Sequence, residues 1–280
     1  MRINLAKSAG FCFGVKRAIA IAFKTIQAKN SVYMLGDIVH NEDVSKQISK
    51  AGIKKIKQLA NGKNKTLLIR AHGASKNTFE NAQQLGYSVI NATCPMVKEI
   101  HKIATESEQK GYVIIIIGDK KHDEVQGITG QLRNKTIVID NIDGIDIRKI
   151  KKINKAAIVV QSTQNIDKVL KIVHILRKYI KKLRFFNTIC RPTIIKQEEI
   201  KAMPLNNDIM IIIGSKTSAN TRRLYEISNS LNKRSYWIQS KNDIKPEWFR
   251  NIKSVGITSG ASTPDHVTKD IIEYIKKISS

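Results

Sequence analysis

The sequence lacks long apolar runs and contains few cysteines and few aromatic residues. Its 280 residues include 3 cysteines, and Phe, Trp and Tyr together make up 6%. Three cysteines, an odd number without a CxxC pair, argue against a disulfide framework and leave metal-binding, catalytic or buried thiols. No apolar run reaches about 18 residues, and the start MRINLAKSAGFCFGV lacks the apolar stretch of a signal peptide. We therefore expect a cytoplasmic protein with no membrane partner.

Acidic residues are also scarce: 49 Lys and Arg stand against 23 Asp and Glu, a formal net charge of +26. Such a charge attracts acidic partners and phosphorylated substrates. The basic residues are spread along the whole chain, however, with few aromatic residues to stack on bases and no recognisable RNA- or DNA-binding motif. We therefore expect no dedicated nucleic-acid partner, and we retain a basic RNA-associated protein as the alternative function.

A threefold pattern runs along the chain. Each cysteine is followed 24 residues later by a glycine, and a histidine or serine stands four residues after that glycine. The cysteines are Cys12, Cys94 and Cys190, the glycines Gly36, Gly118 and Gly214, and the last residues His40, His122 and Ser218. Each glycine ends an apolar run (VYML, VIIII, IMIII), and each third of the chain holds a second run (LLI, AAIVV, SVGIT). Such runs are typical of strands buried on both faces of a parallel sheet.

Amphipathic helical segments fill the gaps between these runs, so the sequence predicts an α/β fold. We expect three similar small lobes with mostly parallel sheets in a trefoil arrangement around a central site. The predicted lobes cover residues 13–95, 96–190 and 191–268, and residues 1–12 and 269–280 are expected to pack at the lobe junctions. Because ligands of open α/β sheets lie beyond the carboxyl ends of the strands, the polar loops there form the candidate site.

The three cysteines are candidate metal ligands at the centre of the trefoil. Thiolates hold iron–sulfur clusters, and a cubane cluster normally takes four of them, so three leave one iron open to an oxygen of a ligand. Equivalent positions in a threefold repeat favour one [4Fe-4S] cluster on Cys12, Cys94 and Cys190, a central iron–sulfur site. A zinc ion held by cysteine and histidine, and simple burial of each thiol, are the alternatives.

Polar residues at the strand ends are candidates for anion binding. His40, His72 and His122 lie where apolar runs end, and histidines gathered in one cleft handle anions or protons. Further hydroxyl and amide donors stand at predicted helix N-termini, which favour phosphate groups. These donors are Ser218, Asn220 and Ser262. Ordinary helix capping is the alternative for each of them, and the combination with the histidines predicts a phosphorylated ligand.

Glu124, in HDEVQG, is the acid that we expect to donate a proton. It follows His122 by two residues, and Ser162 and Thr163 stand on the parallel loop after the run AAIVV. Their hydroxyl groups can relay a proton or hold a water molecule. A surface glutamate is the alternative.

Eight motifs, taken together, resemble those of one enzyme family. GFCFGVKRAI, VHN, AHGAS, NATCPMV, HDEVQG, NTICRPT, GSKTSAN and TSGASTPD occur in this order from about residue 9 to 266. They resemble 4-hydroxy-3-methylbut-2-enyl diphosphate reductase, the IspH or LytB family. The resemblance implies an iron–sulfur oxidoreductase that removes an allylic hydroxyl group in the last step of the methylerythritol phosphate route to isoprenoids. The products are isopentenyl and dimethylallyl diphosphate, and the electrons come from a donor such as ferredoxin or flavodoxin.

The resemblance also implies a role for each candidate residue. It makes the three cysteines the ligands of one [4Fe-4S] cluster and Glu124 the proton donor. Residues expected both to contact the substrate and to assist the proton transfer are His122, Ser162 and Thr163. Residues expected to hold the diphosphate are His40, His72, Ser218, Ala219, Asn220 and Ser262.

Three motifs depart from the family pattern. Ala219 replaces the second serine of an SSN triplet, so a hydroxyl donor is lost or replaced by backbone. Ser162 replaces the first threonine of a QTT loop, and KHDEV replaces GHPEV, which places Lys121 and Asp123 beside His122. No ligand and no acid is lost, so we expect an active enzyme with altered diphosphate affinity.

Overall fold

The computed structural model describes residues 1–278 of the chain as alternating strands and helices. The strands are β1 (Arg2–Leu5), β2 (Val32–Leu35), β3 (Lys54–Ile56), β4 (Thr66–Ile69), β5 (Ser88–Asn91), β6 (Val113–Ile117), β7 (Ile137–Ile139), β8 (Lys155–Val160), β9 (Lys182–Phe185), β10 (Ile209–Ile213), β11 (Ser235–Ile238) and β12 (Ser254–Ser259). The helices are α1 (Phe13–Ala28), α2 (Glu42–Lys50), α3 (Lys76–Gln84), α4 (Pro95–Gln109), α5 (Asp123–Thr129), α6 (Ile147–Ile150), α7 (Ile166–Arg177), α8 (Arg191–Ala202), α9 (Ala219–Leu231) and α10 (Asp265–Ile278). Across residues 1–278, no helix is long and apolar enough to cross a membrane.

The strands form three parallel four-stranded sheets with equivalent strand orders. Sheet 1 has the order β3-β2-β4-β5, sheet 2 the order β7-β6-β8-β9, and sheet 3 the order β11-β10-β12-β1. In every sheet the two central strands are the apolar runs that the sequence predicts as strands. The prediction of an α/β fold built from three similar, parallel-stranded lobes is therefore confirmed.

Helices cover both faces of these sheets, as sheet 3 illustrates. Ile209, Ile211 and Ile213 of β10 pack in a buried cluster with residues of α10. The alternating residues Met210 and Ile212 pack in a second cluster with α8 and α9. Because successive strand residues point to opposite faces, a strand buried on both faces must be apolar at every position. The uninterrupted run IMIII meets that requirement.

The first residues of the chain form a strand that the sequence analysis did not predict. Arg2–Leu5 pair in parallel with Ser254–Ile257 as the edge strand β1 of sheet 3. Strand β1 takes the position in sheet 3 that β5 and β9 hold in sheets 1 and 2. It forms hydrogen bonds with backbone groups of β12 that would be unpaired if β12 were the edge strand. Helix α10 packs on the same sheet as far as Ile278. Residues 279–280 of the predicted C-terminal segment lie outside the described residues, and the other lobe boundaries stay a prediction.

Contacts divide the chain into two compact units. The one-sheet unit comprises Met1–Lys16, Val39–Lys46 and the chain from Arg191 onward, and it contains sheet 3. The two-sheet unit comprises Arg17–Ile38 and Gln47–Cys190, and it contains sheets 1 and 2. The candidate site residues are divided between these two units.

Candidate active site

Each cysteine lies between the edge strand of a sheet and the helix that follows. Cys94 follows β5 and precedes α4, Cys190 follows β9 and precedes α8, and Cys12 follows β1 and precedes α1. All three are half-buried, and none of these three described residues is in a disulfide.

The same backbone hydrogen bond holds each of the three cysteines. In every case the cysteine N–H donates to the carbonyl of the second residue after the adjacent central strand, which is β4, β8 or β12. The bonds are Cys94 to Ala71 at 2.9 Å, Cys190 to Ser162 at 3.0 Å and Cys12 to Ala261 at 3.0 Å. The residues that follow these acceptors are His72, Thr163 and Ser262, all predicted substrate contacts. The threefold pattern therefore extends from the sequence to the hydrogen bonding of each loop.

This donor set fits an iron–sulfur cluster. Soft thiolate ligands suit iron–sulfur clusters and zinc, and the three thiols occupy equivalent, half-buried positions at helix N-termini. Simple burial of three unrelated thiols does not account for the shared backbone hydrogen bond. Cys12 in the one-sheet unit and Cys94 and Cys190 in the two-sheet unit therefore have the same local backbone environment.

Glu124 is buried in the two-sheet unit, and both of its carboxylate oxygens accept hydrogen bonds from Ser162. The side chain is 1% exposed. The backbone N–H of Ser162 donates to Oε1 at 2.6 Å, and its hydroxyl group donates to Oε2 at 2.7 Å. Burial raises the pKa of Glu124, and the two Ser162 hydrogen bonds act in the opposite direction. Because the pKa is raised overall, the carboxyl group retains its proton to higher pH, as a general acid requires.

His122 caps the helix that carries Glu124. Its Nδ1 accepts a hydrogen bond from the backbone N–H of Glu124 at 3.1 Å. Since Nδ1 accepts, the neutral ring carries its proton on Nε2, which can donate to a ligand. The ring of His72 lies edge to face with it, with the ring centroids 5.4 Å apart. The two-sheet unit thus brings together three predicted site residues.

The loop of His72 packs against His101, a half-buried residue of α4. Gly73 has a φ of +78°, and a Cβ there would lie 3.0 Å from Cε1 of His101. Burial lowers the pKa of His101 to about 4, so the ring is neutral at neutral pH. Close packing against this neutral ring fixes the loop and accounts for the glycine after His72.

Gln161 holds the hydroxyl loop in place, although the sequence did not single it out as a site residue. It is fully buried. Its Oε1 accepts from the backbone N–H of Asp119 at 2.8 Å, and its Nε2 donates to Oγ1 of Thr163 at 3.2 Å. The two hydroxyl groups therefore have different partners, since Ser162 contacts the acid and Thr163 contacts Gln161.

Asn220 stands in the first turn of α9, and its amide group has no hydrogen-bond partner among residues 1–278. The residue is 5% exposed, and its Oδ1 and Nδ2 atoms are both buried without a hydrogen bond. Leaving a buried polar group unsatisfied costs about 1–3 kcal/mol. Ser218, by contrast, caps the helix, because its Oγ accepts from the backbone N–H of Thr221 at 3.3 Å. Capping therefore explains Ser218 in part, but nothing in the one-sheet unit satisfies Asn220.

His40 and Ser262 lie together in the one-sheet unit. The hydroxyl group of Ser262 donates to the backbone carbonyl of His40 at 3.0 Å. Asn41 then caps α2 by accepting from the N–H groups of Asp43 and Val44, both at 3.1 Å. These hydrogen bonds fix the backbone on which the His40 side chain is carried.

Asp123, one of the residues that differ from the family pattern, forms an ion pair with Arg70. The Asp123 carboxylate lies 2.6 Å from Nη1 of Arg70, and both side chains are partly exposed. Arg70 in turn lies against Gly36, where a Cβ would come 2.6 Å from the guanidinium group. The pair ties the end of β4 to the start of α5, beside His72 and His122.

A buried lysine, which the sequence did not single out, holds the segment of Cys12. Lys196 of α8 is 2% exposed, and its ammonium group donates to the carbonyl of Ser8 and, at 3.0 Å, to that of Ser259. Burial outweighs the opposing effect of nearby acidic groups such as Glu199 and Asp265, and the pKa of Lys196 is lowered to about 8. The group is therefore an ammonium ion at neutral pH. The position of Lys196 in the helix could have indicated its burial. It lies on the same face of α8 as Thr193 and Ile200, which are also buried.

Comparisons with known proteins agree over the whole length of the chain. Residues 3–276 match the family model described as LytB protein. The 4-hydroxy-3-methylbut-2-enyl diphosphate reductase of Aquifex aeolicus is 38% identical over 280 residues, covering 99% of this chain and 96% of that protein. The reductase of the same name from Campylobacter hominis is 40% identical over 277 residues, covering 98% of each.

Two solved structures are similar to the chain as well. One is (E)-4-hydroxy-3-methyl-but-2-enyl diphosphate reductase, described as the terminal enzyme of the non-mevalonate pathway, with 38% identity and a TM-score of 0.73 over 99% of this chain and 100% of that one. The other is E-1-hydroxy-2-methyl-but-2-enyl-4-diphosphate reductase from Plasmodium falciparum, with 28% identity and a TM-score of 0.90 over 97% of this chain and 87% of that one. The chain therefore belongs to the LytB protein family, the 4-hydroxy-3-methylbut-2-enyl diphosphate reductases.

Proposed function

We propose that this chain reduces 4-hydroxy-3-methylbut-2-enyl diphosphate to isopentenyl diphosphate and dimethylallyl diphosphate, the terminal step of the non-mevalonate pathway. The observation that carries the proposal is the buried Glu124 bound by Ser162, in a chain whose full-length relatives bear this name. The reaction breaks one carbon–oxygen bond, releases water and consumes two electrons and two protons. It therefore requires an acid near the departing oxygen and a source of single electrons.

Cys12, Cys94 and Cys190 would hold one [4Fe-4S] cluster, which makes the chain an iron–sulfur oxidoreductase. When bound, the cluster supplies electrons one at a time and one iron without a cysteine ligand that acts as a Lewis acid. Zinc, the alternative metal, has no redox chemistry and cannot support a reduction. The reaction therefore favours iron over zinc at these thiols.

Glu124 would deliver the proton to the departing hydroxyl group. Its raised pKa keeps the carboxyl group protonated to higher pH, and the hydroxyl group of Ser162 lies 2.7 Å from Oε2, close enough to relay that proton. Thr163 and His122 stand beside this pair, and the Nε2–H of His122 can hold the substrate in place. The second proton goes to either end of the allylic carbanion, which accounts for two products.

Replacing Ser162 with alanine (S162A) is expected to shift the pH profile of kcat/KM. The hydroxyl group stabilises the ionised carboxylate and so lowers the pKa of Glu124. Without it, Glu124 keeps its proton to higher pH, and the alkaline limb of the profile moves upward. T163A is the matched control, because Thr163 contacts Gln161 rather than Glu124. An alkaline limb that is unmoved in S162A, or moved equally in T163A, would contradict this assignment.

Histidine, serine and asparagine side chains would hold the diphosphate. The proposed set comprises His40, His72, His122, Ser218, Asn220 and Ser262, with the backbone of Ala219. Support comes from the Asn220 amide, whose buried polar atoms have no hydrogen-bond partner in the described part of the chain, and from the helix N-terminus of α9, which favours anions. Ala219, directly after the capping Ser218, offers a backbone N–H where a serine would add a hydroxyl group.

Replacing Asn220 with leucine (N220L) is expected to raise KM while stabilising the substrate-free protein. Loss of an amide hydrogen bond to a charged group raises KM by about tenfold to a hundredfold. Removing two unsatisfied polar atoms in favour of an apolar side chain of similar size raises the melting temperature. N232L is the control, because Asn232 donates to the carbonyl of Asn207 at 2.9 Å. It should lose stability and keep its KM; a destabilised N220L protein with unchanged KM would make Asn220 purely structural.

The electron donor and the cellular location complete the proposal. A net charge of +26 suits a small acidic one-electron donor such as ferredoxin or flavodoxin. Location in the cytoplasm stays a prediction. None of the observations on residues 1–278 favours the RNA-associated alternative.

Anaerobic turnover of the hydroxylated diphosphate with a reduced low-potential dye tests the proposal. Protein purified without oxygen should be brown, contain about four irons per chain and release both isoprenoid diphosphates. Colourless, iron-free protein after careful reconstitution, or iron-loaded protein without turnover, would refute it.

A further inference from the structure

Helix α5 is fastened at its C-terminal end to the loop between β4 and α3 that carries His72, here called the His72 loop. Nε2 of Gln131 donates to the backbone carbonyl of Ala74 at 2.7 Å. The backbone N–H of Lys76 donates to the carbonyl of Gly130, the C-cap residue of α5, at 3.0 Å. These two hydrogen bonds fix the end of the helix that lies away from the candidate site residues.

The start of α5 is tied to the same loop by the ion pair of Arg70 and Asp123. Arg70 directly follows β4 and precedes His72 by two residues. Asp123 is the first residue of α5 and directly follows His122. Nη1 of Arg70 lies 2.6 Å from Oδ2 of Asp123, and the two side chains are 21% and 25% exposed. Because the pair is short and largely shielded from water, salt screens it less than it screens an exposed pair.

Packing between the helix and the loop is incomplete on the side of this ion pair. A pocket of about 140 Å³ lies there, and its lining includes both charged residues together with Ser75 and Gln126. The guanidinium group of Arg70 rests against Gly36 at the end of β2, where a Cβ would come 2.6 Å from Nη1. Glycine therefore leaves room for the guanidinium group in the orientation that meets Asp123, and the ion pair bridges a space that side-chain packing does not fill.

Asp123 also has a purely local interpretation. An acidic residue in the first turn of a helix interacts favourably with the backbone N–H groups there. That interaction does not involve Arg70. The two interpretations therefore differ in whether the effects of changing Arg70 and Asp123 are coupled, which a double variant measures.

We propose that Arg70 and Asp123 are positioning residues for diphosphate binding: their ion pair sets the separation of His72 from His122. This inference rests on the proposed function, since it takes both histidines as diphosphate ligands. The two rings lie edge to face, with their centroids 5.4 Å apart. Two donors already held at a fixed separation bind a ligand more tightly than two mobile ones, because less conformational freedom is lost on binding. Breaking the ion pair therefore weakens diphosphate binding and leaves the proton-transfer step unchanged.

Three full-length variants and one control test this pair. D123N and R70Q each remove one charge, and R70Q/D123N removes both. All three should raise KM by about tenfold with kcat near the wild-type value, because the two residues act as one unit in binding. E80Q is the matched control: it breaks the exposed ion pair of Glu80 with Lys76, at 3.5 Å in α3, and should behave as the wild type. D123N and R70Q break the pair from opposite sides, so either one tests it if the other does not fold.

Binding of inorganic pyrophosphate provides a readout that needs no turnover. In calorimetric titrations of the full chain, the Kd of pyrophosphate should rise by about tenfold in D123N, in R70Q and in the double variant, and stay unchanged in E80Q. Unchanged KM and Kd in D123N and R70Q, even with a lower melting temperature, would overturn the inference. So would effects that add in the double variant, since Asp123 would then act through the start of α5 rather than through Arg70.

The same measurements separate this inference from the proposed function. Wild-type protein that binds pyrophosphate but does not turn over the hydroxylated diphosphate would refute the proposed reaction, whereas the Kd values would still decide the role of the ion pair. Normal turnover with unchanged KM and Kd in the variants would leave the reaction standing and refute the positioning role. Wild-type protein that neither binds pyrophosphate nor turns over would overturn both.

Discussion

Replacing Glu124 with glutamine (E124Q) is expected to lower kcat by about 10²–10⁴-fold, the usual loss when a general acid is removed. Glutamine has nearly the same shape, and its Oε1 can still accept the N–H of Ser162, which donates to Glu124 at 2.6 Å. It cannot supply a proton to the departing oxygen. Turnover should therefore collapse while iron content, the visible spectrum and KM remain near those of the wild type. Single-turnover rates with reduced enzyme measure the effect on chemistry directly.

The pH dependence of stability provides a second readout for the same variant. Burial raises the pKa of Glu124 in the folded state. Between its unfolded pKa and this raised value, the folded protein holds a proton that the unfolded chain has lost, so stability falls as pH rises through that window. E124Q lacks this loss and should gain stability relative to the wild type at neutral pH, but not below the unfolded pKa.

Glu106, an exposed glutamate of α4, offers the matched control. E106Q should leave turnover and the pH dependence of stability unchanged. Near-normal turnover in E124Q would remove Glu124 from the proton-transfer role, whatever the stability data show. A collapse that is accompanied by loss of iron would show instead that Glu124 supports the cluster-binding structure.

The sequence predicted the central strands of all three sheets but not the edge strands. Strands such as β8 and β10 are almost fully buried, and their sequences KAAIVV and IMIII contain long apolar runs that are easy to recognise. The edge strands are short and half-exposed, with sequences such as KKI, KLRF and RINL. Their pairing is decided by the neighbouring strand rather than by their own composition, which is why the sequence analysis did not predict β1 as a strand.

The threefold equivalence of the cysteines was visible in the spacing, but its structural basis was not. No sequence pattern indicates that Cys12, Cys94 and Cys190 each donate from their backbone N–H to the same position of a neighbouring loop. That bond depends on strand order, and for Cys12 it depends on the N-terminal strand joining sheet 3. The equivalence is therefore completed by β1, a strand that the sequence analysis did not predict.

Capping and ligand binding could not be separated for the polar loop residues from sequence. His122 and Ser218 both accept hydrogen bonds from the first turn of a helix, so both satisfy the capping interpretation. Asn220 does not, because its amide atoms have no partner within the one-sheet unit. Lys196 was missed for a related reason: a lysine in a helix is usually exposed, and only its packing shows that it is buried.

Replacing Cys94 with serine (C94S) is expected to abolish both iron binding and activity. The sulfur is the only group that this change removes, because serine keeps the backbone N–H that donates to Ala71. Cys94 is the N-cap residue of α4, a position that serine favours, so the helix should remain intact. A hydroxyl group is a poor ligand for iron compared with a thiolate. Iron should fall from about four per chain to well below one, with loss of the brown colour and of turnover.

Thr93 provides the adjacent control for this experiment. It is buried directly before Cys94, and T93S makes the corresponding change to serine without removing a sulfur. T93S should keep its iron and its visible spectrum, and far-UV circular dichroism should show the same helix content in both variants. If C94S retained the full iron spectrum, Cys94 would not be a ligand, and the shared backbone hydrogen bond would have to be explained by packing alone. If the wild type bound one zinc ion per chain and no iron, the thiols would form the zinc site, and the reduction would have no electron carrier.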